Sequence, residues 1–173
     1  MKAKQLFLSA FALITVTTAC TTDIEINEKN FPDENFRQWI LSQEYGADGI
    51  LTAEEIAGVD TLEIFGGDIQ NLKGIEYFTE VRYLDCSCNE LTTLDVSKNT
   101  NLTFLNCGKN KIKGKEMDAL VESLQVVNNG RMLVIWIKDE QNEMTPAQVT
   151  KAKAKGWIPF IYKGWQEYAG SEE

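Results

Sequence analysis

The chain predicts an α/β fold: a short solenoid of about three coils with parallel strands, closed by a helical N-terminal cap and an α/β C-terminal cap. Three observations point there. Residues 81–91 (VRYLDCSCNEL) and 102–112 (LTFLNCGKNKI) superpose under a shift of 21. A weaker copy, with Val59, Leu62, Ile64, Gly67 and Ile69 in the same slots, lies 22 residues upstream. Helical periodicity brackets this repeat on both sides.

In chain order, Met1, Lys2 and Lys4 give a positive start, Leu6 to Val16 is apolar, and Thr17-Thr18-Ala19 precedes Cys20. That order is a secretory signal, residues 1–19, whose apolar run is too short to span a bilayer. A cysteine directly after the cleavage point resembles the bacterial lipobox, with Thr17 where Leu is commonest. The resemblance implies acylation of Cys20 and a polar tether over 20–30. Two acyl chains already hold a protein stably to lipid, so the expected location is across the inner membrane, anchored at the outer membrane or cell surface. The alternative is cleavage after Ala19 that leaves a free Cys20.

Residues 31–58 are expected to form the N-terminal cap. Phe31-Pro32-Asp33 opens a helix that places Phe36, Trp39 and Ile40 on one face. Glu44 to Glu55 resembles a calcium loop with Gly49 at its sixth position, but Gly46 offers no ligand at the third. Thr52 with Glu55 three residues on is a capping box, and it accounts for the same residues more simply.

Residues 59–112 follow the L-x-x-L-x-L-x-x-N-x-L pattern of leucine-rich repeats, with cysteine in one apolar slot. Leu84 and Cys86 stand two apart and so point to the same side, into the core. Asn89 and Asn110 end their strands, where an amide can donate and accept towards the turns of neighbouring coils. Leu91, Leu94 and Val96 return the chain across the convex side, and Ser97 to Thr100 leads into the next strand. In the C-terminal cap, 113–173, Met117, Leu120, Val121 and Leu124 keep helical spacing. A strand over 132–137, a helix from Pro146 to Lys155 and a hairpin turning near Lys163-Gly164 follow.

The stretches NFPDENFR, GADGILTAEEI, GIEYF, NELTTLDVSKNTNLTFLNC and AKAKGW resemble leucine-rich-repeat lipoproteins of gut and oral Bacteroidetes. The cysteine-bearing 21-residue coil also resembles one branch of the listerial internalins. The resemblance implies a surface adhesion or interaction protein, and free thiols stacked at Cys86 and Cys107 as small apolar fillers. Adjacent coils lie about 4.8 Å apart, which permits a disulfide by Cα spacing. Side chains in parallel register point the same way, however, which disfavours the required torsion. Cys88 falls in an outward slot.

Composition excludes several chemistries. The chain has no histidine, which removes Ser-His-Asp and Cys-His catalysis and most catalytic zinc sites. Carboxylate-pair glycosidase chemistry stays open in principle, but no spacing singles out a pair among 26 acids. Gly66-Gly67 stands alone as a turn signal, not a phosphate loop. Without residues 1–19, two lysines fewer leave 15 bases against 26 acids, a net charge of −11 that repels nucleic acid. No catalytic residue, cofactor or metal is therefore expected.

The outward strand positions are the candidate site. Tyr83 and Phe104 align as an aromatic row with Thr61 before them, and Asp85 and Asn106 as a polar row with Glu63 before them. Trp136 is expected to extend the aromatic row. Exposed aromatics rimmed by polar groups suit a protein partner on the concave strand face. A glycan is the alternative partner, and a periplasm-facing neutralising or scaffold lipoprotein is the alternative role. The competing structural reading has these side chains covering one another or packing on the caps.

Overall fold

The computed structural model describes residues 23–136, 141–162 and 166–171. Cys20 and the leader lie outside the described residues, as do Ile137, Lys163, Gly164 and Trp165. Among the described residues no helix is long and apolar enough to cross a membrane.

The N-terminal segment pairs β1 (Ile24–Glu25) with β2 (Ile50–Leu51) in a small antiparallel sheet around helix α1 (Glu34–Leu41). Asp33 caps α1 by accepting from the Phe36 amide at 3.0 Å. Its second oxygen accepts from the amides of Gln70 and Asn71 at 2.8 and 3.1 Å. One carboxylate therefore ties the helix start to the first coil. Phe36 and Ile40 are fully buried and Trp39 packs partly buried beside them. The capping box forms at α2 (Ala53–Ala57), where Glu55 takes the Thr52 amide and hydroxyl. Asp48, a second carboxylate of the calcium-like stretch, accepts from the Ile50 amide at 3.0 Å.

Among the described residues a second sheet has six strands in the order β3-β4-β5-β6-β7-β8. They are β3 (Thr61–Glu63), β4 (Tyr83–Asp85), β5 (Phe104–Asn106), β6 (Gly130–Ile135), β7 (Trp157–Ile161) and β8 (Gln166–Glu167). The first four pairings are parallel, and β8 pairs antiparallel with β7; the expected turn near Lys163-Gly164 lies outside the described residues. The repeat alignment is the strand register: Thr61 faces Tyr83, Tyr83 faces Phe104, and Leu84 faces Leu105. Leu62, Leu84, Leu105 and Met132 are fully buried and form one layer of the core. Cys86 and Cys107 are buried, and Cys88 is half-buried.

Two helices back the C-terminal half. They are α3 (Lys115–Ser123), with Met117, Leu120 and Val121 inward, and α4 (Pro146–Ala154). The latter starts on a second capping box, Thr145 with Gln148. Its neighbour Trp157 is fully buried and donates to the Gln125 carbonyl at 2.8 Å.

The asparagines form the ladder that stitches coils together. Asn89 donates to the Ile64 and Cys86 carbonyls at 2.6 and 3.1 Å and accepts from the Gly67 and Ile69 amides. Asn110 repeats this one coil on, donating to Cys86 and Cys107 and accepting from Leu91. The ladder then continues past the repeats. Asn142 donates to Cys107 and Val134 at 2.8 and 3.0 Å and accepts from Ile112 at 2.8 Å.

Candidate functional site

The outward face of the sheet is built by alternation: each buried leucine leaves its two neighbours on the other side. Tyr83 and Phe104 occupy that face as half-buried rings. Their planes are parallel within 1° and their centroids 4.5 Å apart, close to the strand spacing. Each ring thus covers one face of the other. Burial first, then the carboxylates of Asp85 and Glu63, push the Tyr83 phenol above its ordinary pKa.

Glu63 is exposed on β3 and Asp85 is half-buried on β4. The expectation for Asn106 needs correction. It lies in the predicted row but is 4% exposed and wholly engaged. Its amide donates to Asp85 at 2.8 Å and Ser87 at 3.3 Å, and its oxygen accepts from the Trp136 indole at 3.3 Å. Asn106 therefore orients Asp85 and holds an aromatic lid; it does not present itself to solvent.

Trp136 is also corrected. The β5–β6 register puts Arg131 opposite Phe104 and Leu133 opposite Asn106, so the aromatic row continues as a cation. Trp136 lies further along, with the Cδ1 edge of its indole against Gly108. A Cβ added there would sit 2.2 Å from the indole Cδ1. The indole stacks on Tyr162 at 4.6 Å and 9°, with the Lys109 ammonium 5.1 Å from its centroid. The guanidinium of Arg131 rests over Phe160 at 4.9 Å. Charge differs along the strand order: Glu63 stands on β3 and Asp85 on β4, while Arg131 stands on β6 and Lys109 follows β5.

The ladder residues Cys86, Cys107, Asn89 and Asn110 sit in the interior. Burial first, with Cys107 and Asp85 adding to it, raises the Cys86 thiol well above its ordinary range. Cys88 takes a left-handed backbone (φ 56) just past β4. Among the described residues no three of Cys, Asp and Glu gather as a metal-holding group.

Sequence reasoning missed two features. Asn142 escaped because its own-coil carbonyl lies eight residues back, at Val134, instead of three as for Asn110 and Cys107. The signal was present: Asn142-Glu143-Met144 repeats the Asn-x-apolar step of Asn89-Glu90-Leu91 and Asn110-Lys111-Ile112. The second is a pocket of about 260 Å³ where the cap meets the sheet, lined by Trp39, Gln43, Tyr45, Thr61 and Glu63. No single stretch of sequence contains it.

No protein-family model matches the chain. Internalin J of Listeria monocytogenes serotype 4b (strain F2365) is 31% identical over 113 residues, spanning 54% of this chain and 12% of that protein. The solved functional domain of InlJ from L. monocytogenes, which includes a cysteine ladder, aligns at 28% identity with a TM-score of 0.47. That alignment covers 69% of this chain and 26% of that one. An internalin (inlF) from L. monocytogenes str. 4b F2365 aligns with a TM-score of 0.59 at 20% identity, over 83% of this chain and 47% of that one. The chain thus spans less than half the length of each relative. Its fold is an internalin-like leucine-rich-repeat fold.

Proposed function

We propose that this chain is a binding and adhesion module, not an enzyme, that engages a protein partner through its concave strand face. The observation that carries the reading is the Tyr83–Phe104 stack, half-exposed between an acidic and a basic flank. Aromatic side chains dominate interface hot spots, and divided charge around them sets partner orientation. The listerial internalins that the chain resembles support an interaction role.

A glycan is the weaker reading. Sugar stacking uses open ring faces, and here Tyr83, Phe104 and Trp136 each have one face taken by a neighbouring ring. The lipidated Cys20 of a Bacteroidetes-type lipoprotein supplies the anchor in this proposal, placing the module at the outer membrane or cell surface. A Cys20→Ala variant is then released to the soluble fraction, and one that still pellets with membranes after a high-salt wash removes the anchor.

The test of the site is a photo-crosslinking scan. A benzophenone side chain replaces Phe104 in one variant and Glu122, on α3, in another. Protein adducts concentrated at position 104 support the reading. Adducts only at position 122, or adducts at 104 that a glycosidase removes and a protease does not, overturn it.

A further inference from the structure

Beside the Tyr83–Phe104 stack, the pocket of about 260 Å³ joins the N-terminal cap to β3. Small-molecule sites run roughly 300–1,000 Å³, so this one is sized for a single side chain. Its two rings are held from behind. Trp39 packs on Phe36 with centroids 6.3 Å apart, and Tyr45 meets Phe78 edge-on at 6.0 Å. Neither ring needs to be ordered when a ligand arrives.

The remaining lining residues give the pocket its sign. Glu63 is exposed on β3, and Thr61 brings the Asp60 carboxylate with it through a 3.0 Å hydroxyl bond. The ion pairs among the described residues use Glu90, Glu143, Glu116, Asp118, Glu122 and Glu167. Glu63 is in none of them. No lysine or arginine lines the pocket. On the sheet side, Tyr83 shows Phe104 one face, so its other face looks towards β3, where its register partner is the short Thr61. Aromatic walls, a carboxylate at the mouth and an open ring face beyond it select a flat cation. A guanidinium can stack on rings and fork onto a carboxylate at once, which an ammonium cannot.

We propose that this pocket receives an arginine side chain of the partner, with Glu63 pairing the guanidinium and Trp39 and Tyr45 flanking it. The inference rests on the protein-binding reading above and names one group that the partner must supply.

The test uses the isotopically labelled full chain titrated with N-acetyl-arginine amide, N-acetyl-lysine amide and the uncharged N-acetyl-citrulline amide. Saturable shifts of the Trp39 indole and the Thr61 and Glu63 amides are expected. The arginine probe should bind more tightly than citrulline by about fivefold, the contribution of one exposed charge pair. Glu63→Gln should abolish that preference, and Glu54→Gln, on α2, should keep it. Equal binding of arginine and citrulline overturns the proposal, as does a preference that survives Glu63→Gln. Failure here stays distinct from failure of the wider reading. A partner that needs Tyr83 and Phe104 but tolerates Glu63→Gln removes the pocket and keeps the strand face. Arginine selectivity at the pocket, with partner binding indifferent to Tyr83 and Phe104, keeps the pocket and removes the stack as the contact centre.

Discussion

Asn142 donates to the Cys107 carbonyl at 2.8 Å, as Asn110 donates to the Cys86 carbonyl at 3.0 Å. One hydrogen-bonding step therefore recurs across the junction between the repeats and the C-terminal segment. The backbone follows: the Glu143 amide reaches the Ile112 carbonyl at 3.1 Å, as the Lys111 amide reaches Leu91 at 2.8 Å.

This continuity has a measurable cost. Asn142→Ala leaves the Cys107 and Val134 carbonyls and the Ile112 amide without that side chain in a buried setting. Unsatisfied buried groups cost about 1–3 kcal/mol each, so a loss of roughly 2–4 kcal/mol is expected after relaxation. Asn110→Ala should cost about the same. Urea unfolding of both variants checks this, and a near-neutral Asn142→Ala would show that the ladder ends at Asn110.

Gly74 separates backbone strain from steric exclusion. It sits at φ 108, and a Cβ there would lie 2.1 Å from the Phe31 ring, itself fully buried. Gly66 is also left-handed (φ 72) but has open space around it. Gly66→Ala should cost about 1–2 kcal/mol, the left-handed strain alone. Gly74→Ala must also displace Phe31 from the core, and should cost about 3 kcal/mol or more, a large share of a typical 5–15 kcal/mol domain. Equal midpoints for the two variants in denaturant would contradict the placement of Phe31.

Alkaline stability should depend on Tyr45. Burial raises its phenol from 10.0 to about 12. The folded state therefore holds the proton more tightly than the unfolded chain does. That contribution is intact below pH 10 and is lost as the pH rises towards 12. Tyr45→Phe has no proton to lose, so its denaturation midpoint should fall less between pH 9 and pH 11 than the wild type's. Parallel falls in both proteins would place the alkaline sensitivity elsewhere.

What was legible in the sequence is what repeats at fixed spacing. Leu84, Leu105, Cys86, Cys107, Asn89 and Asn110 were placed by the 21-residue shift, because each coil makes the same contacts as its neighbour. The outward positions were legible only as positions. Asn106 and Asp85 share a slot, yet Trp136, arriving from β6, buries the first and leaves the second half-open. That difference comes from a residue 30 positions away and not from the coil itself. The pocket was hidden for the same reason. Its walls, Trp39 and Tyr45, belong to a cap whose local pattern reads as core packing, and Glu63 comes from β3, beyond β2 and α2.

The central claim is that Tyr83 and Phe104 are a binding centre and not part of the framework. The most direct measurement compares thermal unfolding of Tyr83→Ala/Phe104→Ala with its retention of the protein partner recovered by crosslinking at position 104. The account predicts cooperative unfolding with a loss of about 1–2 kcal/mol, the worth of an aromatic pair and its partial burial. It also predicts binding weakened by at least about 30-fold, as for one hot spot of about 2 kcal/mol. Unchanged binding by a folded double variant, or a collapsed melt that makes the stack structural, would contradict it.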